Sequence, residues 1–160
     1  MRSSASHLRR IALLAGLDDR HGQVLAGHLE SLGWTVRAVA GGRECLSRWS
    51  ELEAEVIVTD LDGRAHDGLE LAGALAALQP RPAVVLWTGN PWAASLDPAT
   101  LGRIGVDAVV ARPARLEAVV EALIQAADVG AARTAAARAV RPVSGETPAA
   151  AGGPSALVAA

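Results

Sequence analysis

The chain has 160 residues, 51% apolar and 20% charged, which is one domain's worth of length with enough apolar residues for a sizeable core and excludes a disordered acidic or basic chain. A formal charge of -2 and an isoelectric point near 6.1 leave no electrostatic footprint for nucleic acid. Every basic residue is Arg, Phe and Tyr are absent, and no apolar run approaches the length of a membrane span. The short run 11–17 meets Asp18 and Asp19 without a small-residue cleavage site, so no signal peptide is expected and the chain is read as cytoplasmic. Cys45 stands alone, which excludes an internal disulfide, and its place in a helical pattern makes it a small buried filler.

Residues 11–15 (IALLA) form a continuous apolar run, as a strand buried on both faces requires, and Asp18 and Asp19 are placed to cap a following helix. Val24, Leu25, Leu29 and Leu32 share one helical face until Gly33 ends it, and 34–39 (WTVRAV) alternates like an edge strand. After the Gly41-Gly42 turn, Cys45, Leu46, Trp49 and Leu52 are spaced as a second helix. The β-branched run 56–59 (VIVT) is the strongest strand signal, and it ends at Asp60. A loop over 61–67 leads to Gly68 and a helix carrying Leu69, Leu71, Leu75 and Leu78, stopped before Pro80 and Pro82. A fourth strand is predicted over 83–87 and a loop over 88–91. Asp97 and Pro98 form the N-cap and first position of a short helix closed by Gly105. The segment 106–111 (VDAVVA) reads as a fifth strand and Arg112-Pro113 as a turn. Leu116, Val119, Val120, Leu123 and Ile124 mark a last amphipathic helix.

Five strands alternating with five helices predict an α/β fold, a mostly parallel sheet with helices on both faces and functional residues at the carboxyl ends of the strands. That places attention on Asp60, Thr88 and Arg112. The domain is expected over 8–128. Residues 129–160 are an Ala/Pro/Gly-rich mobile tail, with transient helix at most over 131–139.

The segment EVIVTDLDGRAHDGLEL resembles the heart of a response-regulator receiver domain, in which a strand ends in the phospho-accepting Asp and an Asp-Gly follows. Here these are Asp60, Asp67 and Gly68. The resemblance extends to the hydroxyl residue ending the next strand, Thr88, and to the basic residue with Pro after the fifth, Arg112-Pro113, and so covers about 8–128. It implies a doubly wound, flavodoxin-like sheet of order 2-1-3-4-5 in three layers. It also implies a stand-alone signalling domain whose one reaction is its own phosphotransfer, with phosphate taken from a histidine kinase or phosphotransfer partner in a two-component phosphorelay. In that chemistry Asp60 is the nucleophile, Thr88 the hydroxyl and Arg112 the cation.

The family holds Mg²⁺ with an acidic pair ending the first strand, the phospho-acceptor and a backbone carbonyl. Counted without gaps from Gly33, that pair falls at Ala15 and Gly16, leaving Asp60 and Asp62 as ligands and Mg²⁺ binding weak or absent. Removing two residues slides Asp18 and Asp19 toward the same place. Arg112 stands where the family has Lys, a planar fork in place of a compact ammonium. Val109 stands where an aromatic switch is expected, and Trp87 and Trp92 flank Thr88. The partner surface, and a possible homodimer contact, is assigned to the face formed by the helix after Asp97, the fifth strand and the last helix. Neither nucleic acid nor membrane is expected as partner.

Two rivals remain open. One is a degenerate receiver acting as a phosphorylation-independent interaction module. The other reads VIVTDLDG as the first motif of haloacid-dehalogenase-like phosphatases, with Asp60, Asp62 and Thr88. It lacks the expected Lys, and the acids after Arg112 near the sheet, Glu117, Glu121 and Asp128, all fall on a helix. His7, His21, His28 and His66 show no zinc-ligand spacing.

Overall fold

A computed structural model describes residues 10–62 and 68–140. Asp67, His7, His66 and the tail from residue 141 onward lie outside the described residues.

The elements follow as β1 (Ile11–Ala15), α1 (Asp19–Ser31), β2 (Thr35–Val39), α2 (Gly42–Leu52), β3 (Val56–Thr59), α3 (Gly68–Ala76), β4 (Ala83–Thr88), α4 (Pro91–Ala94), α5 (Pro98–Arg103), β5 (Ala108–Ala111) and α6 (Leu116–Val140). All strand pairs are parallel and the sheet order is β2-β1-β3-β4-β5. This is the doubly wound order expected, with β2 at an edge.

Period-two alternation sorts the central strands between two cores. Ala12, Leu14, Val56, Val58, Ala83 and Val85 face α1 and α6, where they meet Leu25, Leu29, Val119 and Leu123. Leu13, Ala15, Ile57, Val84 and Leu86 face α2 and α3, where they meet Cys45, Leu71 and Leu75. A strand flanked by helices on both sides has no polar face, which is why β1, β3 and β4 read as unbroken apolar runs.

Three features depart from the sequence reading. Six helices occur among the described residues: the additional one-turn α4 starts at Pro91, capped by the Asn90 side chain, which accepts from the Trp92 N–H at 3.0 Å. Val24, placed on the buried face of α1, is 52% exposed, and Leu32 equally so; Leu25 and Leu29 carry that face alone. The last helix runs through residues 129–140 to Val140, with Gly130 buried against Ala83.

Candidate functional site at the carboxyl edge

β1, β3, β4 and β5 end side by side, so the residues just past them share one edge. Thr59 closes β3 with its hydroxyl donating to the Ala15 carbonyl at 3.0 Å. The next residue, Asp60, is a buried carboxylate, its side chain 4% exposed. Gly68, the first residue of α3, lies so close that a Cβ there would stand 2.8 Å from the Asp60 carbonyl oxygen, so that position accepts no side chain without a backbone shift.

Both carboxylate oxygens of Asp60 are engaged. Oδ1 accepts from the Asp62 backbone N–H at 3.2 Å, and Oδ2 accepts from Arg112 Nη2 in a close ion pair. Arg112 follows β5 and is anchored by its own N–H, which donates to the Thr88 carbonyl at 2.8 Å. Thr88 ends β4 fully buried, its hydroxyl accepting from the Asn90 N–H at 3.1 Å. The three strand-end residues thus stand together, and Asp62 is exposed at the rim, with Asn90 Nδ2 3.5 Å from its Oδ1.

Two further residues reach the site from α1. Asp18 is the N-cap, its Oδ1 accepting from the His21 N–H at 2.9 Å, and its Oδ2 lies 3.4 Å from Arg112 Nη1. His21 Nδ1 contacts the same Asp18 oxygen and lies 3.3 Å from Arg112 Nη1. The imidazole packs edge-on against Trp87, centroids 5.0 Å apart. The His21 backbone N–H first, then its ring and Arg112, hold the Asp18 carboxyl below the usual carboxylate range. The Arg112 guanidinium therefore sits between two carboxylates, Asp60 and Asp18. Sequence reasoning placed Asp18 as a cap and missed its tie to Arg112 and the presence of His21. The available signal was that a helix following β1 starts at the edge where β3 and β5 end.

The divalent cation implied for such a site does not fit these residues. Ala15 and Gly16, at the end of β1, carry no ligating side chain, and Gly16 has a positive φ of 65°. Asp60 and Asp18 already share a cation, and among the described residues no three His, Cys, Asp or Glu side chains converge on one point.

Solved structures place this architecture. The chemotaxis response regulator CheY4 of Vibrio cholerae superposes with a TM-score of 0.61 at 18% identity, covering 74% of this chain and 98% of its own. A CheY-like response regulator receiver domain from Methanospirillum hungatei gives 0.65 at 22% identity, covering 79% and 98%. The chain has the receiver-domain fold. The signal receiver domain of an HD domain-containing protein from Pseudomonas fluorescens gives 0.65 at 20% identity, covering 78% and 98%. No family model matches the chain, and no curated protein does. Within the receiver fold, β3 ends at Thr59, just before Asp60, β4 ends at Thr88, and β5 ends at Ala111, just before Arg112. Val109, on β5, packs partly buried against the α2/α3 core, and no aromatic ring stands there. No helix among the described residues is long and apolar enough to cross a membrane.

Proposed function

We propose that this chain is a receiver domain in a cytoplasmic phosphorelay, accepting a phosphoryl group on Asp60 from a histidine kinase or phosphotransfer protein. The observation that carries the reading is the meeting of Asp60, Thr88 and Arg112 at one sheet edge. A nucleophilic carboxylate, a hydroxyl and a fixed cation are the parts an in-line phosphoryl transfer to a side chain requires. Incubation with acetyl phosphate and Mg²⁺ followed by intact-mass measurement tests it. One phosphoryl group is expected on the wild type and none on Asp60→Asn.

One observation favours a second reading. Both oxygens of Asp60 are occupied and its charge is matched by Arg112, as suits a receiver fold that binds its partner without phosphorylation. A folded wild type that stays unmodified by every phosphodonor, yet binds the same partner as Asp60→Asn, identifies that case.

A further inference from the structure

We infer that the Arg112 guanidinium takes the place of the divalent cation, so that Asp60 accepts a phosphoryl group without metal; this rests on the reading of Asp60 as the phosphate acceptor. A metal at such a site brings positive charge to a carboxylate and to the phosphoryl oxygens arriving at it. Here that charge is already present and fixed to the chain. Arg112 Nη2 holds Asp60 Oδ2, while Nη1 faces Asp18 Oδ2 at 3.4 Å and His21 Nδ1 at 3.3 Å. The first contact is close and buried. The second exceeds the roughly 2.7–2.9 Å of a firm charge-assisted hydrogen bond, and the Asp18 side chain is 48% exposed.

Asp18 is therefore the partner that yields. Its Oδ1 keeps the cap of α1 whether or not Oδ2 faces Arg112, so an incoming phosphoryl dianion can displace Oδ2 without unravelling the helix. The planar fork of Arg112 then spans nucleophile and phosphoryl group, one nitrogen on each, a geometry a compact ammonium lacks. His21 is a positioning residue: it holds Asp18 and stands against Nη1.

With acetyl phosphate the step balances without an added proton or electron. A lone pair of the Asp60 carboxylate forms the new O–P bond and the bond from phosphorus to the acetyl oxygen breaks. Acetate departs with that electron pair, leaving an acyl phosphate dianion on Asp60.

The test compares initial phosphorylation rates of the full chain in excess chelator and in Mg²⁺, read by intact mass, for wild type, Arg112→Lys and Asp18→Asn. Wild-type rates in the two conditions should agree within about threefold, because the charge that matters is on Arg112. Arg112→Lys keeps the charge and loses the fork, and its rate in chelator should fall about tenfold or more. Asp18→Asn keeps the cap and removes the competing carboxylate, and its rate in chelator should rise. Phosphorylation of the wild type in Mg²⁺ and none in chelator overturns this inference and leaves Asp60 as phosphate acceptor. A folded wild type that is modified in neither condition overturns both.

Discussion

At the scale of the residue, the account turns on Asp60 and Arg112. Breaking a buried ion pair by removing one member leaves a charge without compensation, so Arg112→Ala should lower stability by about 3–5 kcal/mol in urea denaturation. A loss near zero would mean that solvent replaces the guanidinium. Asp18 gives a pH signature. Its carboxyl lies below the usual range in the folded chain, so the cap stabilises fully above the unfolded value near 4 and its contribution is lost as pH falls through the lower, folded value. Helicity of α1, followed by amide chemical shifts of residues 19–31, should therefore decline in acid, and Asp18→Asn should flatten that response. Asp60, Thr88 and Arg112 were legible because each closes or follows an apolar strand run. His21 was not, because histidines were judged by metal-ligand spacing. The role of this one depends on Arg112, 91 residues away in sequence.

At the scale of the element, apolar periodicity located the strands well and the helix faces less well. β3 has the bounds its β-branched run predicts, whereas β5 begins at Ala108, two residues late: Val106 is buried in the core on the α2/α3 side and the Asp107 carboxylate accepts the Val84 N–H. Val24 and Leu69 carry the helical spacing yet lie exposed, because two layers of short helices cover the sheet with narrow stripes. Of the one-turn α4, only Pro91 falls in the loop expected over 88–91 and the rest carries no expectation: four residues show no period, and only the Asn90-Pro91 cap marks it. The approach of α3 to Asp60 offers a direct check. Gly68→Ala drives a Cβ toward the Asp60 carbonyl oxygen, and a destabilisation of about 1–3 kcal/mol with a shifted Asp60 amide signal is expected. On the face of α5, β5 and α6, Val109 offers no ring to rotate. Amide signals across 97–124 should move little on binding a phosphate mimic, and a pronounced shift there would contradict this.

At the scale of the whole molecule, the edge opposite the site holds a second carboxylate enclosed by arginines. Asp107, its side chain 8% exposed, accepts from Arg81 Nη1 at 3.1 Å and Nη2 at 3.3 Å, from Arg133 Nη1 at 2.8 Å and from the Val84 N–H at 2.8 Å. Arg133 belongs to the part of α6 past residue 128, so this network fastens the helical extension to the sheet. The sequence concealed it: Ala-rich composition reads as a tail, and the anchoring pair is 26 residues apart. Asp107→Ala leaves two arginines short of their partner, and a loss of about 3–5 kcal/mol is expected. Hydrogen exchange should also quicken over 130–140; unchanged exchange there would show that apolar packing of Gly130 holds the extension alone.

The central claim is that the charge on Arg112 serves the chemistry of Asp60. A crystal structure of the beryllofluoride adduct, grown in chelator, tests it most directly. The account predicts an adduct on Asp60 with Arg112 bridging the carboxylate and a fluorine, and Asp18 Oδ2 turned away. An adduct that forms only with Mg²⁺, with the ion beside Asp60 and Arg112 displaced toward solvent, would contradict it.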